Sequence, residues 1–239
     1  MQFAKIKPFS YFCITFKFLS MDINNLSDKC SVVNKYLAEL RDKSYQDNRL
    51  LFRNNVMRIG EMMAYEISKT LQYRPERVET PLGACTMMLP ADDIVLATIF
   101  RAGLPFHTGF LNVFDHAENA FVSAYREYVD DNHTEVGVHV EYLAAPDISG
   151  KTLIIADPML ATGISMELGY KAFLTHGTPR HIHVASVVAA PEGIEHVRKS
   201  LPDENTTVWC AAIDERLNEN KYIVPGLGDA GDLCFGSKI

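Results

Sequence analysis

An excess of positive charge is the first thing this chain lacks. Its 239 residues carry 23 lysines and arginines against 30 acids, for a net charge of −7 and a pI near 5.6. Without a basic cluster, sequence-independent binding to a nucleic-acid backbone has no footing. Cysteine is scarce and scattered. Cys13, Cys30, Cys85, Cys210 and Cys234 are odd in number and include no C-x-x-C pair, which excludes a disulfide framework and a structural zinc site and fits reduced thiols in a cytoplasmic protein. The eight histidines include no H-E-x-x-H. His181 and His183 alternate and could face one metal, but polar positions on a strand are the simpler reading, and no protein-held metal site is expected. No apolar run is long enough to span a bilayer. Residues 1–20 are aromatic and apolar, yet Lys5, Lys7, Pro8 and Lys17 interrupt them, and they lack the clean apolar core and small-residue cleavage site of a signal peptide. They read as a non-functional leader or misassigned start, and 21–239 as a single domain with neither membrane nor nucleic acid as partner. Internal repeats and low-complexity linkers are absent too.

What the chain does have, at 47% hydrophobic content, is enough apolar material for one well-filled α/β domain. Its most informative stretch is Lys151-Thr-Leu-Ile-Ile-Ala-Asp157-Pro-Met-Leu-Ala-Thr-Gly-Ile-Ser165. Residues 152–156 form a short, β-branched apolar run, as expected of a strand buried in a parallel sheet. Small residues, two hydroxyls and a glycine follow, then a helical pattern over 166–175 closed by His176-Gly177. Such a loop turns backbone N–H groups toward one point in front of a helix start, which makes a phosphate cradle. Asp157, at the strand's carboxyl end, would repel a phosphate but can accept hydrogen bonds from a ribose diol, so the implied ligand is a sugar phosphate. No Gly-Lys-Ser/Thr follows, which excludes the P-loop of nucleoside triphosphatases. An ordinary turn with Ser165 as helix cap is the plain alternative.

Other segments supply company for that loop. Helical faces run over 31–41 and 48–71, with Asp47 as cap, Pro75 as stop, and Arg49, Arg53 and Arg58 read as a solvated face. Residues 83–89 suggest an exposed strand or hairpin arm. A buried strand over 94–100 leads into Arg101-Ala-Gly-Leu-Pro105 and a helix to about 114, a second strand–loop–helix crevice in which Arg101 can fork onto an anion. Residues 120–125 and 136–142, joined by the charged, loop-like 127–134, read as a hairpin flap. Strand, helix and strand patterns at 181–188, 191–201 and 207–211 complete a βαβαβ alternation, which argues for a parallel sheet with ligands beyond the strands' carboxyl ends. From 214 onward the chain turns glycine-rich and irregular. Unpaired backbone groups in such a loop can read the edge of a flat polar ring.

Arg101-Ala-Gly-Leu104, Asp157-Pro-Met-Leu-Ala-Thr-Gly-Ile-Ser165 and Tyr222-Ile-Val-Pro-Gly-Leu-Gly-Asp-Ala-Gly-Asp232, with Val188-Ala-Ala-Pro-Glu-Gly193 and Ile213-Asp214, closely resemble the uracil branch of the type I phosphoribosyltransferases over residues 45–238. The resemblance implies a twisted parallel sheet with flanking helices, a β-hairpin flap and a C-terminal glycine-rich base-binding loop. It implies transfer of a phosphoribosyl group from 5-phosphoribosyl 1-diphosphate to uracil, giving UMP and diphosphate in pyrimidine salvage. Arg101, Arg126, Asp157, Pro158, Met159, Leu160, Ala161, Thr162, Gly163, Ile164, Ser165 and Asp229 would bind the phosphoribosyl substrate. Ile223, Gly228, Asp229 and Ala230 would bind uracil, and Asp229, Arg101 and Arg126 would serve the chemistry. Mg²⁺ is implied as a substrate-bound ion, and a homo-oligomer, dimer or higher, as the assembly. One departure stands out. The family loop commonly carries glycine or alanine where Ile164 stands; an isoleucine at positive φ would be strained, so negative φ is expected here. An RNA-binding regulator on the same fold, or a transferase for another base, would share the sugar loops. Acidic net charge counts against the first and the terminal loop against the second.

Overall fold

The strands are placed by all-apolar and alternating runs, the helices by faces that recur every three to four residues. The computed structural model describes residues 21–128 and 136–237, with side chains described outside 124–140. In chain order the elements are β1 (Asp22–Asn25), α1 (Val32–Arg41), α2 (Lys43–Gln46), α3 (Arg49–Ser68), β2 (Tyr73–Thr80), β3 (Gly83–Pro90), β4 (Ile94–Ile99), α4 (Gly103–Leu111), β5 (Glu118–Tyr128) and β6 (Val136–Ala144). They continue with β7 (Thr152–Ala156), β8 (Met159–Leu160), α5 (Ile164–Phe173), β9 (His181–Ala189), α6 (Pro191–Ser200), β10 (Thr206–Ile213), β11 (Arg216–Leu217), β12 (Ile223–Val224) and α7 (Ala230–Phe235).

One large sheet runs in the order β1-β10-β9-β7-β4-β5-β6, with β8 alongside β9. Its pairs are parallel except β5 with β6. The central strands are apolar on both faces because both faces are covered. Leu96 and Ile154 join Leu37 of α1, Phe52 of α3 and Phe106 of α4 in one core, while Val95, Ala97, Leu153 and Ile155 join Phe173 of α5 and Val197 of α6 in the other. This is the α/β sheet with flanking helices expected from the alternation. The winding reverses between β4 and β7. From β4 the chain steps outward to β5; from β7 it steps the other way through β9 to β10. Loops leaving two neighbouring strands in opposite directions diverge, and the gap between them is where open α/β sheets hold ligands.

Several local expectations need correcting. Asn48, not Asp47, caps α3, its side chain accepting from the N–H groups of Leu50 and Leu51. The helix ends at Ser68, well before Pro75, which lies within β2. That strand pairs antiparallel with β3 from Tyr73↔Pro90 to Thr80↔Gly83, so the expected hairpin arm has a partner that its charged sequence concealed. Arg53 is not simply solvated: its guanidinium donates to the Cys234 carbonyl at 2.7 Å. Arg58 lies over the Tyr36 ring. The flap strands extend further than read, Glu127 and Tyr128 pairing with Gly137 and Val136. The leader over 1–20, the flap connection over 129–134 and the side chain of Arg126 lie outside the described residues. His181 and His183 sit side by side on β9, ring centroids 4.6 Å apart, and His183 Nδ1 accepts from Trp209 Nε1 at 3.1 Å. Burial holds the His183 ring at about 3, hence neutral, and the Trp209 N–H already occupies its Nδ1, which suits the structural reading.

Candidate active site

Strand β7 is fully buried, so Asp157 is the first residue of its run that can meet solvent. Its Oδ1 accepts from the Met159 N–H at 3.2 Å, which turns the chain back toward β9. Met159 and Leu160 then pair with Val188 and Ala189 as β8, so the loop is anchored to the sheet midway along. That anchoring splits its residues into two sets. Asp157, Met159, Ala161 and Ser165 line a crevice, whereas Pro158, Leu160 and Gly163 are buried behind it. Leu160, 1% exposed, belongs to the core, so only its backbone can serve a ligand.

Gly163 has φ +79 and caps α5 without any side-chain hydrogen bond. A Cβ there would lie 2.8 Å from the Gly193 carbonyl oxygen and 2.9 Å from His196 Cβ, so glycine is required by both conformation and space. The helix therefore starts at Ile164, two residues earlier than the sequence pattern suggested, and Ser165 is in its first turn rather than its cap. Ile164 has negative φ as expected: among the described residues, Lys221 is the one non-glycine with positive φ. The first N–H groups of α5 have no helical partner, and Thr162 offers only a long contact, 3.5 Å from its Oγ1 to the Ile164 nitrogen.

Strand β4 delivers the second loop. Arg101 follows Ile99 and Phe100 at the strand's carboxyl end, and its Nη2 donates to Asp232 Oδ1 at 2.9 Å. The expected anion fork is thus present but already engaged by an acid of the terminal segment. That segment is more ordered than its glycines suggested. β11 and β12 pair as a short hairpin, and α7 follows with Asp229 as its cap, accepting from the Asp232 N–H at 3.0 Å. Ile223, Gly228, Asp229 and Ala230 all line the same crevice as Asp157 and Arg101, a space of about 710 Å³. Arg126 is on β5, opposite Val138 of β6.

Sequence reasoning missed several lining residues: Phe100, Ser123, Glu141, Lys221 and Tyr222. Ser123 and Glu141 come from the flap strands β5 and β6, Phe100 and Lys221 each stand one position before a quoted block, and Tyr222 was quoted but assigned no contact. Burial dominates the electrostatics. It pushes the Asp157 carboxyl up to about 7, opposed by the Met159 N–H, and the side chain's remaining accessibility opens on the crevice. A second cavity of about 740 Å³ opens at the strands' amino ends, near Asp92, Thr152, His181 and Thr207, and none of the three loops reaches it.

Sequence comparison with known proteins points to one family. The family model described as uracil phosphoribosyltransferase matches residues 27–237. The chain is similar to a uracil phosphoribosyltransferase of Porphyromonas gingivalis, 55% identical over 219 residues that cover 92% of this chain and 100% of the relative. It is similar also to one of Pyrococcus furiosus, 37% identical over 210 residues and 87% of each chain. Among solved structures, the AQ2163 protein from Aquifex aeolicus superposes with a TM-score of 0.78 at 29% identity, over 91% of this chain and 99% of the other. With the family model spanning the three loops and most of the sheet between them, the chain belongs to the uracil phosphoribosyltransferase family.

Proposed function

We propose that this protein transfers the phosphoribosyl group of 5-phosphoribosyl 1-diphosphate to uracil, forming UMP and diphosphate. The observation that carries this reading is the convergence of the Asp157, Arg101 and Gly228 loops on one crevice at the sheet's reversal point. In this reading Asp157, Pro158, Met159, Leu160, Ala161, Thr162, Gly163, Ile164 and Ser165 hold the 5′-phosphate and ribose, mainly through the N–H groups at the start of α5 and the Asp157 carboxylate. Arg101 and Arg126 take the diphosphate. Ile223, Gly228 and Ala230 read uracil with backbone groups, and Asp229 lies between base and sugar.

Diphosphate is a good leaving group, so the protein's task is alignment and stabilisation of separating charge as C1′ becomes cation-like. Asp157 and Asp229 offer negative charge beside the sugar, and Arg101 and Arg126 offer positive charge beside the departing oxygens. Mg²⁺ would arrive on the diphosphate and neutralise part of its charge. Glu141, Asp157 and Asp229 line the crevice and would fit that role as acceptors for its waters. Reuse of a free base places the reaction in pyrimidine salvage, and a cytoplasmic homo-oligomer is proposed with it on the family resemblance.

Turnover of 5-phosphoribosyl 1-diphosphate against a panel of free bases tests the proposal. Uracil should be consumed with release of diphosphate, and hypoxanthine or guanine should not; use of a purine, or no turnover with uracil, would reject it. A finer expectation concerns the loop. Because positive φ falls on Gly163 and not on its neighbour, Ile164→Gly should not lower the Michaelis constant for the phosphoribosyl substrate, and Ile164→Ala should leave it within a few fold. A large gain on going to glycine would show a strained loop.

A further inference from the structure

We infer that Arg41 and Asp214, neither of which lines the crevice, are the positioning residues that set the geometry of the base-reading loop. Arg41 is the last residue of α1, and Asp214 directly follows β10, where its N–H donates to the Ala189 carbonyl at 2.8 Å. The strand end is therefore fixed to its neighbour in the sheet before the loop begins. From there the two side chains form a forked pair, Arg41 Nη2 to Asp214 Oδ1 at 2.6 Å and Arg41 Nη1 to Oδ2 at 2.9 Å. The pair does not stop at itself. Arg41 Nη1 also donates to the Gly226 carbonyl at 3.0 Å, and the Gly226 N–H donates to Asp214 Oδ2 at 2.8 Å.

Both backbone groups of one loop residue are thus held by one rigid ion pair, and Gly226 lies between the two base-reading positions, Ile223 and Gly228. Gln46 adds a second tether, its Nε2 donating to the carbonyls of Leu40 and Leu227 at 2.8 Å each. The turn is tight, because a Cβ on Gly226 would stand 2.2 Å from the Ile223 carbonyl oxygen. Asp214 retains only 6% side-chain accessibility and Arg41 25%, so the pair is partly buried and less screened than one on the open surface. A planar guanidinium can satisfy a fork and a third acceptor together, which an ammonium cannot do in the same geometry. The consequence is selective. Ile223 and Gly228 depend on this anchor, while the Asp157 loop is held separately by β8 and α6, so loss of the pair should harm base recognition and spare the sugar phosphate.

The inference rests on the proposed uracil transfer, and the two are tested separately. Uracil turnover by the unaltered enzyme decides the function; divergence of the two Michaelis constants in variants decides the positioning role. Arg41→Met is expected to raise KM for uracil by about tenfold or more, to hold KM for 5-phosphoribosyl 1-diphosphate within about threefold, and to erode the preference for uracil over cytosine. Arg41→Lys should recover part of the uracil affinity. Because removing one partner of a buried pair can unfold a protein, the double variant Arg41→Met with Asp214→Leu fills both positions with apolar groups and is expected to keep its Tm. It still lacks both partners of Gly226 and should show the same uracil-specific loss. A stable double variant with unchanged uracil KM and unchanged cytosine rejection would overturn the inference, as would an equal rise in both Michaelis constants. Should the double variant not fold, Arg41→Lys with an unaltered uracil KM overturns it equally.

Discussion

Cytosine is expected to be rejected relative to uracil by roughly 10⁴-fold or more in kcat/KM. Uracil presents carbonyl acceptors and ring N–H donors along one edge, and cytosine replaces one acceptor with an amino donor. Among the described residues, the N–H groups of Gly228 and Ala230 donate to no protein acceptor, and both residues line the crevice. A fixed N–H facing an amino group loses its bond and stays desolvated, a penalty of about 1 to 3 kcal/mol beyond the bond itself. The same argument predicts that Gly228→Val abolishes uracil use. The cause is conformational: the nearest atom to a Cβ would be Leu233 Cδ1 at an ordinary 3.6 Å, but φ is +91, which a β-branched residue cannot adopt without strain of about 1 to 3 kcal/mol. Binding of 5-phosphoribosyl 1-diphosphate should persist in that variant. Steady-state kinetics with both bases and a direct binding measurement for the sugar substrate check the pair. Comparable turnover of cytosine and uracil would show that this loop does not read the base.

Asp157→Ala should cost about 2 to 4 kcal/mol of transition-state stabilisation, a loss on the order of 30- to 1000-fold in rate, with the fold intact. Folding survives because the carboxylate's hydrogen bond within the protein is to the Met159 N–H two residues away, and the strand before it is held by parallel partners on both sides. The pH dependence follows from the same group. Burial raises its pKa to about 7, so the free enzyme holds the carboxylate above that pH and the neutral acid below it. Only the carboxylate offers full acceptor strength to a ribose diol. The kcat/KM for the phosphoribosyl substrate should therefore fall as pH drops through about 7, by about tenfold for each unit below it. Asp157→Asn should remove that slope and leave only the substrate's own ionisations. Full activity of a folded Asp157→Ala enzyme would remove the residue from the site.

How much of this was legible in advance depends on the range over which each feature is encoded. Residues 152–165 carry their own strand, cradle and helix in consecutive positions, so the sugar-phosphate loop could be read directly. The helix start at Ile164 was misplaced because Gly163 caps by conformation and leaves no side-chain signature. The terminal segment was read as irregular on its glycine content, although Asp229 and Asp232 stand at the spacing of a cap and an acidic first turn. The anchors were invisible for a different reason. Arg41 and Asp214 are 173 positions apart, and Arg53, read as part of a solvated face, reaches Cys234 across 181, so no local pattern joins either residue to its partner. Only the closing of the sheet, with β1 against β10, brings the amino-terminal helices beneath the last loop.

The Arg101–Asp232 contact changes what anion capture means at this site. A guanidinium waiting in bulk water would have to shed its hydration as the diphosphate arrived. Here folding has already removed part of that water and put a carboxylate in its place. With Arg101 as the proposed diphosphate ligand, capture would be ion exchange: phosphate oxygens would replace one carboxylate, and the charge on the fork would stay compensated. The displaced Asp232 is not stranded either, because it sits in the first turn of α7, where the helix terminus favours a negative charge. On the proposed assignment, substrate entry would loosen a bond that ties the β4 loop to α7, the helix following the base-reading turn.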